Sequence, residues 1–340
     1  DAITTMEQSH FDLAILDWNM PVMNGFEVLE KIRQDRALRD LPVIMVTAEA
    51  ERDIVSEAAE SEIDGYLLKP LTLAALDEKI RSVLEKTNHP DEVTVHRMKA
   101  RELEESGDVN GAINQIRLAL KIKPNASRLI RILGLLHFKI NKAKIGEKCL
   151  LKAASVNRAD TITRMHLADY YLKKNQLEKA GRYYLEILTL SVRYHDQAVK
   201  LAEKLLVSHC RPLALKIFSK VIVRSKKPNA AREQIIDLCI HRNEFEYPQR
   251  LLEEAMKQNP SNYDIMYKAA VVAIENGDYP LALKHLTEVD RHVRGHVEAK
   301  YHLAKLYFRE GKMVKADEYL SQILRLDPKN DDALALRGQL

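Results

Sequence analysis

The chain has 340 residues, a net charge of +4 and an aromatic content of 6%, and this length allows two domains or one long array. Its three cysteines form no Cys-x-x-Cys pair, which disfavours a disulfide framework or a zinc knuckle and is typical of a reducing compartment. The sequence has no run of 18 apolar residues and does not begin like a signal peptide, so we expect no membrane span and a cytoplasmic location.

Charge is distributed unevenly along the sequence. Residues 1–87 hold 9 basic and 18 acidic side chains, a net charge of −9. Residues 115–232 hold 26 basic and 7 acidic side chains, a net charge of +19. An acidic first part and a basic second part indicate two domains with different surfaces. The basic part is either a solvated helical surface or a binding face for an acidic partner.

Strand and helix patterns alternate over the first 87 residues. Apolar runs predict strands and amphipathic patterns predict helices, as follows: strands at 12–17, 41–47 and 65–68, and helices at 25–34, 51–60 and 72–86. Residues 1–10 are the end of an earlier helix, and Thr72 is the expected N-cap of the last one. Such alternation predicts a parallel sheet with crossover helices.

A polar side chain follows each predicted strand. Asp17 ends the first strand, Thr47 ends the second, and Lys69 follows the third, with a cis peptide plausible at Lys69-Pro70. Because the carboxyl ends of parallel strands meet at one edge of a sheet, these three residues converge on one pocket. A carboxylate can accept a phosphoryl group as a nucleophile, while a hydroxyl and an ammonium hold its oxygens.

Short motifs surround these three residues: Asp17 with Met20-Pro21 and Gly25, then Val46-Thr47-Ala48, then Asp64-Gly65-Tyr66 leading to Lys69-Pro70. In this order and at these separations the motifs resemble the receiver domain of two-component response regulators, an α/β doubly wound, flavodoxin-like parallel sheet.

The resemblance implies a role for each of these residues. Asp17 is the phosphoacceptor, Thr47 and Lys69 contact the phosphoryl group, and Tyr66 is the aromatic switch. The Asp17 carboxylate and the main-chain carbonyl of Asn19 help to bind Mg²⁺. From this residue alone, without the rest of the motif, a half-buried strand aromatic would be the preferred interpretation of Tyr66.

One departure from the family concerns this metal. Receivers carry an acidic pair at the end of their first strand, and residue 1 lies after that point. We therefore expect a partial receiver at 1–87 without the first strand–helix–strand unit. Since two hard-oxygen ligands are absent, these residues alone are expected to bind Mg²⁺ poorly.

The remainder of the sequence repeats every 34 residues with only helical periodicity. Gly or Asn recurs at one phase of the repeat, at Gly107, Asn141, Asn175, Asn243, Gly277 and Gly311. Small residues recur at a second phase, at Ala112, Gly146, Ala180, Ala214, Ala282 and Ala316. Small residues also recur at a third phase, at Ala100, Gly134, Ala168, Ala202, Ala270 and Ala304. This pattern resembles the tetratricopeptide repeat (TPR), a helix–turn–helix unit.

The period predicts seven TPR repeats over 93–330 and a capping helix, or the start of an eighth repeat, at 331–340. His209 and Pro248 break the pattern, so repeats four and five are expected to be distorted. Residues 88–92 form a short linker containing Pro90, from which we expect a fixed contact between the receiver and repeat one.

TPR arrays form an all-α superhelical solenoid whose concave groove takes a peptide or a partner helix. The residues predicted to line the groove are basic at one end and aromatic at the other: Arg97, Arg101, Arg128 and Arg131, then Tyr267, Tyr301 and Phe308. A basic groove favours an acidic peptide, the C-terminus of a polypeptide or the acidic receiver. Alternatively, the arginine stems cover apolar surface.

The function predicted is that of a response regulator. A histidine kinase or phosphotransfer protein phosphorylates Asp17, and the TPR array binds a protein or peptide as the output. The sequence carries none of the common catalytic motifs, so no enzyme activity is expected, and homodimerisation is left open. The alternatives are a scaffold whose receiver serves only for docking, and a nucleic-acid binder acting through 115–232. Within 115–232 few aromatic residues lie on the predicted groove for base stacking, which disfavours nucleic acid.

Overall fold

The computed structural model describes residues 2–20, 23–48, 63–208 and 210–340. Two compact units are present, Asp1–Ala198 and Val199–Leu340. The helix expected at 51–60 lies outside the described residues. No described helix is long and apolar enough to cross a membrane.

The first part of the protein is built on three parallel strands in the order β1-β2-β3. The elements are α1 (Ala2–Gln8), β1 (Ala14–Asp17), α2 (Gly25–Gln34), β2 (Val43–Thr47), β3 (Gly65–Leu68) and α3 (Leu73–Asn88). Asp17 pairs in register with Val46, and Thr47 pairs with Leu68. The carboxyl ends of the three strands therefore lie side by side, as the alternating pattern predicted.

Local signals explain where two of these helices begin. Asn24 caps α2 by accepting a hydrogen bond from the Glu27 N–H, and the Glu27 carboxylate accepts one from the Asn24 N–H, which is a complete capping box. The Thr72 hydroxyl caps α3 by accepting from the Ala75 N–H, as predicted. One apolar face of α2 then packs on the central strand, where Ile32 and Val43 are fully buried.

From residue 92 onward the described residues are helical. The helices are α4 (Glu92–Glu105), α5 (Val109–Ile122), α6 (Ser127–Lys139), α7 (Ala143–Val156), α8 (Thr161–Lys173), α9 (Leu177–Leu190), α10 (His195–Val207), α11 (Arg211–Arg224), α12 (Pro228–His241), α13 (Glu246–Gln258), α14 (Tyr263–Glu275), α15 (Tyr279–His292), α16 (Val297–Arg309), α17 (Met313–Leu326) and α18 (Asp331–Arg337). Short turns join the two helices of a repeat, which pack against each other as in TPR proteins.

The turn inside each repeat confirms the 34-residue phase. A positive φ is found at each described Gly or Asn of that phase: Gly107, Asn141, Asn175, Asn243, Gly277 and Gly311. Gly and Asn tolerate this left-handed conformation better than other residues, which explains their recurrence. His209 occupies the same phase but lies outside the described residues.

The small-residue phases mark where paired helices touch. A Cβ atom on Gly134 would lie 3.0 Å from the Gly146 carbonyl oxygen, and one on Gly146 would lie 2.9 Å from the Gly134 carbonyl oxygen. The backbones of α6 and α7 therefore approach more closely than larger side chains would allow. In the neighbouring repeat, Ala168 and Ala180 are fully buried at the equivalent places.

Repeat five departs slightly from the period. Its helices begin at Pro228 and Glu246, one residue earlier and one later than the period places them. Pro248 is then the third residue of α13, in the first turn, where a missing N–H breaks no helical hydrogen bond.

Candidate phosphoacceptor site and repeat-array surface

The structure brings the three predicted strand-end residues to one edge of the sheet. Asp17 is the last residue of β1, and its Oδ2 atom lies 2.6 Å from Nζ of Lys69, which follows β3. Thr47, the last residue of β2, is only 3% exposed, and its carbonyl accepts a hydrogen bond from the Lys69 N–H at 2.8 Å. The Lys69-Pro70 peptide is cis, as expected.

Two donors keep the Asp17 carboxyl group ionised. The Lys69 ammonium has the larger effect, and the Asn19 N–H, which donates to Oδ1 at 3.2 Å, adds to it. Against a smaller opposing effect of desolvation, these groups hold the pKa of Asp17 below its usual value. Asp17 thus presents an anionic carboxylate with the Lys69 ammonium beside it.

Gly25 permits a close approach between the start of α2 and the Asp17 strand. Its N–H donates to the Trp18 carbonyl at 3.1 Å, and a Cβ atom there would lie 2.2 Å from the Asp17 carbonyl oxygen. A side chain at this position is incompatible with the observed backbone. The close approach of the two backbones therefore explains why this position of the receiver-like motif is a glycine.

Tyr66, the predicted switch, lies in the middle of β3 and is 44% exposed. Its ring is therefore not part of the buried core around β2. The assignment as a switch stays a prediction.

The oxygen donors near Asp17 have suitable chemistry for Mg²⁺ but are too few. Mg²⁺ requires a near-octahedral set of oxygen ligands. The resemblance assigns it the Asp17 carboxylate and the Asn19 carbonyl, and the described residues contain no group of three or more acidic, His or Cys side chains that could hold a metal ion. Weak Mg²⁺ binding by these residues stays a prediction.

Along the N-terminal repeats, three of the four predicted groove arginines lie together. Arg97, Arg101 and Arg128 line a cavity of about 290 Å³ whose other wall includes Arg33 and Asp64 of the strand–helix part. Arg101 donates to Asp40 at 2.8 Å. The expected contact between the receiver and repeat one is thus present.

Arg131 has a different place from the one predicted. It is 6% exposed, and its guanidinium donates to both carboxylate oxygens of Asp160, which is fully buried. Asp160 also caps α8 by accepting from the Thr163 N–H at 2.8 Å. Arg131 therefore joins repeat two to repeat three and is not presented to a ligand.

The aromatic residues predicted near the C-terminal end are half-buried. Tyr267 lies 4.5 Å from the His296 ring, and Tyr301 lies 6.3 Å from the His302 ring, measured between centroids. Tyr301 and Phe308 also pack on a buried cluster that includes Leu320 and Ile323. A large part of this aromatic surface is thus used for packing between helices.

A contact around Arg193 was not identified from the sequence. This residue lies in the turn between α9 and α10, and it donates to Glu30 of α2 at 2.6 Å. Its guanidinium carbon also lies 3.9 Å from the centre of the Phe26 ring. The sequence pointed to this contact only through the opposite net charges of 1–87 and 115–232, and net charge does not identify the individual residues that pair.

A parallel sheet with Asp17, Thr47 and Lys69 at its carboxyl edge, followed by paired helices with a 34-residue period, defines a receiver-like domain joined to a TPR array. Family comparison agrees: the response regulator receiver domain matches residues 1–81, and the tetratricopeptide repeat matches residues 249–291 and 273–340.

Characterised relatives match the N-terminal part. Chemotaxis protein CheY of Pseudomonas aeruginosa is 45% identical over 87 residues, which are 26% of this chain and 70% of that protein. Chemotaxis protein CheY-3 of Vibrio cholerae is 44% identical over 85 residues, 25% of this chain and 65% of that protein. Through this segment the protein belongs to the response regulator receiver family.

Solved structures that align with part of this chain include the following two. The Naa15/Naa10 complex bound to HypK aligns with 73% of this chain and 39% of that chain, at a TM-score of 0.50 and 12% identity. A tetratricopeptide repeat protein from Parabacteroides merdae aligns with 73% of this chain and 98% of its own, at a TM-score of 0.35 and 14% identity.

Proposed function

We propose that this protein is a response regulator in which Asp17 accepts a phosphoryl group and the TPR array binds a protein as the output. The observation that carries the proposal is the Asp17–Lys69 contact of 2.6 Å beside buried Thr47 at the carboxyl edge of the sheet. The donor is a phosphohistidine of a histidine kinase or of a phosphotransfer protein.

The reaction exchanges one phosphorus bond for another. A carboxylate oxygen of Asp17 attacks phosphorus, the bond from phosphorus to the imidazole nitrogen breaks, and the departing imidazole keeps the electron pair and takes up a proton. In this proposal the Lys69 ammonium neutralises charge on the transferred group, and the hydroxyl of Thr47, the last residue of β2, donates to one of its oxygens. Mg²⁺ binding is implied by the family resemblance alone.

In this proposal the array provides a surface for binding a protein and has no catalytic role. Its helices present charged and aromatic side chains, and we propose that it has no enzyme activity. The three cysteines are free thiols, which supports a cytoplasmic location.

Nucleic acid binding through 115–232 is the less favoured function. Three arginines of that segment are engaged by carboxylates: Arg131 with Asp160, Arg164 with Glu186, and Arg193 with Glu30. These cations are occupied within the protein and are less available to phosphates.

The test is phosphotransfer to the natural full-length protein. We expect radiolabel to pass from a phosphorylated phosphotransfer protein to this protein, with an alkali-labile bond typical of an acyl phosphate. Asp17→Asn should abolish the label, while Asp12→Asn, which changes a carboxylate outside the site, should retain it. If folded protein takes no label, or if Asp17→Asn takes as much as the natural protein, the receiver serves only for docking.

A further inference from the structure

Two patches join the receiver to the first repeats within the Asp1–Ala198 unit. In the first patch, Arg193 bonds Glu30 at 2.6 Å and covers the Phe26 ring at 3.9 Å. In the second patch, Arg101 donates to Asp40 at 2.8 Å, and Arg39 donates to Glu105 at 2.8 Å. Both patches use side chains from α2 or from the turn that follows it.

The second patch uses positions that the repeat pattern assigns to the groove. Arg101 and Glu105 are four residues apart on α4, the first helix of repeat one, so they share a face. Arg101 is one of the predicted groove arginines. The sequence left an acidic peptide, the C-terminus of a polypeptide and the acidic receiver open as ligands of this surface, and in the structure the receiver of the same protein binds Arg101.

Arg193 binds a particular combination of side chains. Phe26 and Glu30 are four residues apart and lie on the same face of α2. A guanidinium suits both, since its flat, delocalised charge stacks on an aromatic ring while its N–H groups bond a carboxylate. Phe26 is only 4% exposed, with Arg193 covering its face and Trp18 packing edge-on at 5.9 Å. The array therefore completes the burial of a large apolar residue of the receiver.

We propose that the surface on which the receiver docks, formed by Arg193 against α2 and by Arg101 and Glu105 against the turn after α2, is a recognition surface for a helix carrying Phe-x-x-x-Glu, and that the receiver's α2 is its resident ligand. An outside partner is then a protein segment that presents an acidic helix of the same pattern and replaces α2. This inference rests on the proposed role of the array as a protein-binding surface, and it identifies the chemistry of the partner.

The contacts in the two patches suit a ligand that can be exchanged. The carboxylates of Glu30 and Asp40 are about half exposed, with relative side-chain exposures of 47% and 59%. Partly exposed ion pairs are individually weak and sensitive to salt. A tethered receiver has the advantage of a high effective concentration, so an outside helix binds well only when the receiver is displaced.

The experiment uses a fluorescent peptide of residues 23–41, which contains Phe26, Glu30, Arg39 and Asp40, and measures its binding to the unphosphorylated full-length protein by anisotropy. Glu30→Lys in the protein removes the resident contact and leaves Arg193 in place. If the receiver is docked roughly 90% of the time, the peptide should bind about 10-fold more tightly to Glu30→Lys than to the natural protein. Asp40→Lys should act in the same direction and serves if Glu30→Lys fails to fold.

Two further variants make the result specific. Glu178→Lys changes a carboxylate that pairs with Arg182 within α9, so its peptide affinity should equal that of the natural protein. Adding Arg193→Ala to Glu30→Lys should weaken peptide binding at least about 10-fold, because both the stacking and the charged hydrogen bond are lost.

Equal peptide affinity for the natural protein and for Glu30→Lys would overturn receiver occupancy of this face. An affinity for Glu30→Lys that is insensitive to Arg193→Ala would overturn the recognition surface itself. No step of this experiment involves Asp17 or a phosphoryl group. A failure here is therefore distinct from a failure of phosphotransfer, and either can occur without the other.

Discussion

At the scale of single residues, the Asp17–Lys69 pair shows how a carboxylate is kept ready for chemistry. The Lys69 Nζ atom lies 2.6 Å from Oδ2, and the Asn19 N–H donates to Oδ1. Both contacts favour the ionised form and lower the pKa of Asp17. With these contacts in place the carboxyl group is still partly exposed, with 36% of its side-chain surface accessible.

Replacing Lys69 by methionine should raise the pKa of Asp17 toward its ordinary value, because the strongest hydrogen bond to the carboxylate is removed. Since the folded-state pKa of Asp17 is depressed, its contribution to stability is present above the unfolded pKa and is lost as the pH falls through the folded pKa. In Lys69→Met this acid-dependent loss should shrink. The pKa is measured by carbon NMR of the Asp17 carboxyl group. Lys31→Met, which removes an exposed cation from α2, should leave that pKa unchanged, and an unchanged pKa in Lys69→Met would contradict the prediction.

Arg131 illustrates a residue whose role depends on a distant partner. Its carboxylate partner Asp160 is 29 residues away in sequence and fully buried. Breaking a buried ion pair by removing one member costs about 3–5 kcal/mol, because the remaining charge is left without compensation. Such a pair fixes the packing of neighbouring repeats. An exposed arginine of the array, such as Arg182 beside Glu178, has no comparable part in the packing.

At the scale of elements, the turn within each repeat is set by one backbone conformation. Gly277 has a φ of 79°, and a Cβ atom there would meet no heavy atom within 4 Å. Glycine is thus favoured at position 277 by the left-handed backbone conformation and not by a lack of space for a side chain. Asn141, Asn175 and Asn243 adopt the same conformation with a side chain, which explains why asparagine replaces glycine at this phase.

Gly277→Ala should therefore destabilise its repeat by about 1 kcal/mol, since alanine tolerates a positive φ poorly. The matched control is Gly295→Ala, because Gly295 also lies in an open turn, between α15 and α16, but does not have a positive φ. There the substitution should be neutral or slightly stabilising, because it restricts the unfolded state. Hydrogen exchange of α14 and α15 amides measures both effects locally, which suits a repeat protein that need not unfold in one step. Equal exchange in the two variants would show that the backbone conformation is not what selects glycine.

The start of α2 is a second element whose position depends on close contacts. Gly25 lies so close to the Asp17 carbonyl oxygen that it leaves no room for a Cβ atom. Asn24 caps the helix, and Phe26 packs on Trp18. One turn further along, Glu30 reaches Arg193. The helix that contacts the array thus begins beside the strand end that carries Asp17.

At the scale of the whole molecule, the receiver and the first repeats belong to one compact unit. Their contact depends largely on charged residues: Arg193 with Glu30, Arg101 with Asp40, and Arg39 with Glu105. Partly exposed pairs of this kind contribute about 0–1 kcal/mol each, so these three ion pairs add only a small free energy to the docked arrangement.

Raising the salt concentration should loosen this contact. Between ~0.1 M and ~1 M salt the Debye length falls from about 10 Å to about 3 Å, which screens partly exposed ion pairs. Amide hydrogen exchange in the second half of α2 and in residues 191–195 should become faster. The buried helix pair α14–α15, whose contact is apolar, should show no such increase and is the internal control. Exchange in α2 that is independent of salt would mean that apolar packing, and not charge, holds the receiver in place.

The residue pattern was sufficient for everything that follows from strand direction and local geometry. Strand ends in a parallel sheet share one edge, so the order of the predicted strands was enough to group Asp17, Thr47 and Lys69. The 34-residue phase identified the turns because a left-handed residue is a local requirement. The helix at 51–60 and the turn at His209 lie outside the described residues and stay predictions.

What the sequence by itself determined is therefore the class of domain, the strand-end site and the repeat period, because each is encoded by residues that act within one element or at its end. The tertiary structure decided which charges meet. It turned Arg131 inward to Asp160, and it brought Arg193 to Glu30 across 163 residues. A charged residue has the same sequence signature whether it faces water, a buried partner or another domain, and only the packing of the elements selects among these environments.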